Sequence, residues 1–170
     1  MLSICLLSYS QEKFSTDEQK SNIESFSEKT GTIFIKTYID IDTWKKAEFQ
    51  VLIIKDIIKG SKITGLLIKK DVYSSYSSDT KRAFLDSDEV DDFIATIDFF
   101  ETNILDSIPF NYTEAYLKCR DGFEFGSYFS DGEWKLFMKL EKYDSDSYIR
   151  FKISDLIELK KILSLAKISL

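Results

Sequence analysis

From Tyr112 to Ile153 apolar and polar residues alternate, the two-residue period of strands that bury one face. Tyr112–Arg120 alternates, Asp121-Gly122 carries a strong type I′ hairpin signal, and Phe123–Phe129 alternates again. Ser130-Asp131-Gly132 then turns the chain into Trp134–Glu141, and Tyr143–Asp146 turns it into Ser147–Ile153. There the period changes. Leu156, Leu159, Leu163 and Ala166 fall on one stripe of a helix from Asp155 to about Ile168, with Ser154 as its N-cap.

The first half repeats the order with a weaker pattern. Thr32–Asp40, Glu48–Ile58 and Lys62–Lys70 are rich in Ile, Val, Phe and Leu and read as strands, with Gly60 marking one turn. Ser74–Thr80 reads as a hairpin loop and Lys81–Asp86 as a fourth strand. In the helix expected over Ser87–Ile104, Val90, Phe93, Ile94, Ile97, Phe100 and Ile104 share one face. Leu105–Asn111, with Pro109, is the connector. Ahead of these strands a helix is expected from Asp17 to Lys29, with Thr16 and Gln19 at capping-box spacing and Gly31 supplying the terminating left-handed residue. Only Ile23 and Phe26 give that helix an apolar face, so it should pack peripherally.

The expected fold is α+β: two antiparallel meander sheets, each followed by a helix that covers its apolar face, plus an N-terminal helix. Phe84-Leu85-Asp86-Ser87-Asp88 and Phe151-Lys152-Ile153-Ser154-Asp155 share an F-x-x-S-D spacing at the strand-to-helix junctions. Leu66-Leu67-Ile68-Lys69 parallels Leu136-Phe137-Met138-Lys139 upstream of them. A tandem duplication with halves 32–104 and 112–170 would explain this, and so would Ser-Asp recruited twice as a common cap. Two successive ββββα units resemble, in element order from Thr32 to Leu170, the Whirly and PUR-type single-stranded nucleic-acid binders. The resemblance includes no sequence motif of either family, so it transfers no functional residue.

Composition narrows the classes. The 170 residues are 44% apolar and 15% aromatic with six Gly and one Pro, which excludes a disordered or collagen-like chain. The lack of His removes Ser–His–Asp and Cys–His catalytic sets and most zinc sites, and no cofactor signature is present. A net charge of -6, with only three Arg among 23 cations, argues mildly against a general polyanion binder. Residues Met1–Ser10, MLSICLLSYS, are too short to span a membrane and no other window does better. Ser8 and Ser10 suit a signal-peptidase site, so residues 1–10 read as the remnant of a signal peptide and residues 11–170 as a single domain. Export, periplasmic or secreted, is then expected; the alternative is a cytoplasmic protein in which residues 1–10 form a short apolar strand.

Strand alternation sorts the second half into two faces. Ala115, Leu117, Cys119, Phe123, Phe125, Phe129, Trp134, Leu136, Met138, Leu140, Ile149, Phe151 and Ile153 make a core face. The other face collects Lys118, Arg120, Lys135, Lys139, Arg150 and Lys152, interleaved with Tyr112, Tyr116, Tyr128, Phe137 and Tyr148 and the acids Glu114, Glu124 and Glu141. Cations tracking a backbone among aromatic platforms is the chemistry of single-strand binding, and the same set would serve an anionic glycan or a protein partner. A solvated sheet face stabilised by cross-strand pairs is the plainer account of the same residues.

Catalytic signals are weaker. Asp86, Asp88, Glu89, Asp91 and Asp92 crowd a helix start, where capping and dipole complementarity explain them without a metal. Glu124 with Asp131 could serve a carboxylate-based hydrolase, but neither sits in a signature. Cys119 falls on the core face, where a thiol is an inert small hydrophobe. The expected function is that of a non-catalytic binding or interaction module. A single-stranded nucleic-acid binder is the alternative and a carboxylate-based hydrolase the third reading.

Overall fold

The computed structural model describes residues 20–73 and 78–170. The stretch expected to be a signal remnant lies outside them, as do Thr16 and Gln19. Helix α1 spans Asn22–Ser27, shorter than expected, and is capped by Ser21, whose hydroxyl and Glu24 form the capping box. Strands β1 (Phe34–Trp44), β2 (Ala47–Asp56), β3 (Lys62–Tyr73) and β4 (Ser78–Asp86) form one antiparallel meander. Helix α2 (Ser87–Phe99) continues into a π-helical turn, Phe100–Ile104. A second meander follows in β5 (Thr113–Lys118), β6 (Glu124–Ser130), β7 (Glu133–Lys139) and β8 (Tyr148–Phe151), then helix α3 (Leu156–Ser169). The α+β class and the repeated element order are therefore as expected. No described helix is long and apolar enough to cross a membrane.

One core joins both halves. Phe49, Val51, Leu66, Ile68, Ala83 and Leu85 of the first sheet meet Phe93 and Ile97 of α2, Leu159 and Leu163 of α3, and Phe125, Leu136 and Met138 of the second sheet. The Phe93 ring lies 4.8 Å from Phe125 and 5.3 Å from Phe123, so α2 wedges between the sheets. Helix α3 does not stay with its own sheet: it lies against α2 and against β1 and β2 of the first. On the far side of the first sheet Ile23 and Phe26 of α1 close a smaller cluster over Leu52, Ile54 and Leu67, the peripheral packing foreseen for that helix. Gly65 admits α1 at close range, since a Cβ there would stand 3.1 Å from Ile23 Cδ1.

Several local details differ from expectation. The Asp121-Gly122 turn is not type I′. Gly122 alone is left-handed, at φ 95°, and the Cys119 N–H donates to the Phe123 carbonyl across a three-residue loop. The turn with two left-handed residues is Asp131-Gly132, and Lys45-Lys46 does the same between β1 and β2. Ser154 is not an N-cap; it sits in a 3-10 turn, Ile153–Asp155, that precedes α3. Ile153, placed in the core by alternation, is thereby turned out and exposed. The two F-x-x-S-D segments accordingly enter their helices differently, Asp86 leading straight into α2 as its N-cap.

Candidate ligand-binding face

The register of the second sheet sets three rows of side chains on its outer face. Glu114, Tyr128 and Lys135 are opposite one another; so are Tyr116, Gly126, Phe137 and Arg150; so are Lys118, Glu124, Lys139 and Tyr148. Within these rows the rings form a continuous band: Tyr112 to Tyr128 and Tyr128 to Phe137 are each 6.3 Å between centroids, and Phe137 to Tyr148 is 5.5 Å. Tyr116 stands beside it, 57% exposed. Gly126 makes room, because a Cβ there would lie 2.7 Å from Tyr116 Cβ and 2.9 Å from Phe137 Cζ. A glycine inside an alternating strand was the one sequence signal of this close approach. Among the described residues no helix or strand packs over this face.

The cations divide into held and open ones. Lys118 and Lys139 both lie 3.9 Å from Glu124, Lys139 also 5.5 Å from the Tyr148 ring centre. Lys135 is bound by Asp131 at 2.8 Å, which raises its pKa and lowers that of the aspartate. Arg150 has no acidic partner among the described residues and stacks 5.0 Å over Tyr148, while Lys152, just past the last β8 residue, is exposed with its charge near Asp155. Glu114 accepts the Tyr112 hydroxyl hydrogen bond, which raises the phenol pKa, and is therefore engaged with a ring rather than a cation. Glu124 and Asp131 are seven residues apart along one hairpin arm, roughly 20 Å, the first beside two lysines and the second holding one. That is far beyond the spacing of a paired-carboxylate hydrolytic site.

Arg120 does not join this face. Its guanidinium turns into the seam between the halves, 2.6 Å from Asp86 and bonded to Asp88, with Glu89 3.7 Å away. Its partners, Asp88 foremost, push its pKa up, and it lowers that of Asp88. Asp86 also accepts the Asn22 and Ile23 N–H bonds at 2.8 and 3.0 Å, so one carboxylate ties α1, the α2 cap and Arg120 together. Asp86, Asp88 and Glu89 at the start of α2 thus have structural partners, Glu89 in the capping role that its position suggested.

Sequence reasoning missed the rest of this seam. Strand β4 is the free edge of the first sheet, and carboxylates close it. The Arg82 N–H donates to Glu141 at 3.0 Å, the Phe84 N–H to Asp121 at 2.6 Å, and the Asp86 N–H to Glu89 at 3.0 Å. Beside this edge lies a groove of about 790 Å³ lined by Glu24, Phe84, Cys119 and Asp121 among others. Burial, helped by the charges of Glu24 and Glu89, pushes the Asp121 carboxyl up to about 7 against the two backbone N–H bonds it accepts. Burial likewise pushes the Cys119 thiol far up, the state of an unreactive core cysteine.

Fold and surface together define an α+β domain with two meander sheets, the first packed against the common core and partly covered by α1 on its far side, the second presenting a row of rings and cations. No protein-family model matches the chain, and no curated protein matches it in sequence.

Proposed function

We propose that the protein is a non-catalytic binding module that takes an extended anionic chain, an acidic glycan, on the outer face of its second sheet. The observation that carries the reading is the band Tyr112–Tyr128–Phe137–Tyr148, with exposed Tyr116 beside it and Arg150 at its end lacking an acidic partner among the described residues. Rings offer flat apolar surface to sugar faces, and a guanidinium grips carboxylate or sulfate by two parallel N–H bonds. The neutralisation of Lys118, Lys139 and Lys135 by nearby acids leaves the positive charge concentrated around Arg150 and Lys152, which suits a ligand of modest charge density. Export is part of the proposal, supported by the apolar run and small residues of Met1–Ser10, and it predicts a mature N-terminus at Gln11.

The test is a fluorescence-anisotropy titration of the full chain with a labelled polyuronate oligosaccharide at low salt. Binding is expected, and it should weaken with added salt by counterion release. Arg150→Glu with Lys152→Glu should abolish it. Tight binding of an oligothymidylate in place of the glycan would favour the single-stranded nucleic-acid reading, and binding of neither would overturn the proposal.

A further inference from the structure

The two free edges of the first sheet are treated in opposite ways. Carboxylates close β4, whereas among the described residues no strand pairs with the outer edge of β1. The Ile57 N–H donates to the Ile33 carbonyl at 3.0 Å, which fixes the alternation: Ile33, Ile35, Thr37 and Ile39 point their backbone groups at β2. Lys36, Tyr38 and Asp40 therefore aim their N–H and C=O outward, and among the described residues nothing bonds to them there. Every residue from Ile35 to Asp40 is exposed, including apolar Ile35 and Ile39 and the Tyr38 ring. A long, flat, half-apolar edge of this kind is a template for another strand.

The geometry points to a second copy of this chain as that strand, in an antiparallel pairing centred on Tyr38. The charges select it. With the two-fold axis through Tyr38, Lys36 of one copy lies opposite Asp40 of the other, and the reverse, so both ion pairs form at once. These are the residues whose backbone groups point outward, so the matching charges and the unused hydrogen-bonding groups coincide in one register. On the other face of the joined sheet Thr37 meets Ile39 on both sides of the axis, covering that exposed isoleucine. The bulge between Asp40 and Asp42 ends the pairing on either side. A lone lysine on an edge normally discourages pairing with other strands; here the aspartate four residues on converts it into a self-recognition device. The outcome is one continuous eight-stranded sheet across the axis.

Sedimentation equilibrium of the full chain tests this. The wild type should sediment at twice the chain mass, and its thermal midpoint should rise with protein concentration. Lys36→Asp faces Asp40 with a like charge, and Asp40→Lys faces Lys36 likewise; each should weaken association by about tenfold or more. The double variant K36D/D40K restores both ion pairs with reversed sign and should dimerise to within about threefold of the wild type. Circular dichroism confirms that each variant is folded. A wild-type monomer at all accessible concentrations would mean that the edge is filled otherwise or not at all, and would overturn the inference. So would single variants that associate like the wild type, or a double variant that stays monomeric.

Discussion

The seam beside β4 and the outer face of the second sheet are both rich in charge, yet the charges serve opposite ends. In the seam, Asp86, Glu89, Asp121 and Glu141 are committed to backbone N–H groups, and Arg120 is enclosed by three carboxylates. On the outer face ion pairs lie at up to 3.9 Å, and Arg150, with no acidic partner among the described residues, stacks on a ring. Charge density alone does not separate a structural region from one that can exchange its partners for a ligand. What separates them is whether each charged group already satisfies a donor that would otherwise be stranded.

Substitutions can sharpen this contrast. The largest effect on stability is expected from Arg120→Met, which leaves the buried Asp86 carboxylate without its cation; urea unfolding should show a loss of about 3 kcal/mol. A change below about 0.5 kcal/mol would place Arg120 with the surface charges instead. Gly126→Ala comes next, because the new methyl must displace Phe137 and meets the Ala115 carbonyl oxygen at 2.9 Å. A loss of about 1–2 kcal/mol is expected, with weaker ligand binding as the band is broken.

Asp121 gives the seam a pH signature. The folded state keeps its proton up to about pH 7, whereas the unfolded chain releases it near 3.8, so between these values the native state binds more protons. Its contribution to stability should therefore fall as pH rises from about 4 to 7, by at most about 1.4 kcal/mol per unit, and stay level above that range. Asp121→Asn should flatten the slope in that window, measured by unfolding midpoints across pH; an unchanged slope would show that the carboxyl is ionised as usual. The smallest stability effect belongs to Arg150→Glu, within about 0.5 kcal/mol, even though it should cost binding most. If that variant unfolded as readily as Arg120→Met, the contrast between the two regions would collapse.

Much of the fold was legible because it is written locally. Alternation from Tyr112 to Phe151 and the three-and-four spacing through Val90, Phe93 and Ile97 each depend on neighbours a few residues away. The outer-face rows also followed from alternation, since strand residues two apart share a side, and Tyr116, Phe137, Lys139 and Arg150 stand where parity puts them. Arg120 broke the rule because it lies past the last β5 residue, in a loop, where strand parity no longer directs a side chain.

The tertiary structure decided what depends on partners distant in the chain. Lys45-Lys46 adopts a turn that Asn-Gly would favour, because Trp44 is buried with its ring 5.0 Å from Phe151 and Lys45 reaches Asp155 at 2.9 Å. Asp121 gave up the two-residue turn expected of it and closes a strand edge 37 residues away. Helix α3 crossed to the first sheet, since amphipathic spacing says which face is apolar but not which sheet will cover it. Sequence by itself therefore determined the order of the elements and the faces of the second sheet's strands, through period and turn chemistry. The pairing of charges across the seam, and the closing of the β4 edge by carboxylates, came from long-range contacts that no local pattern encodes.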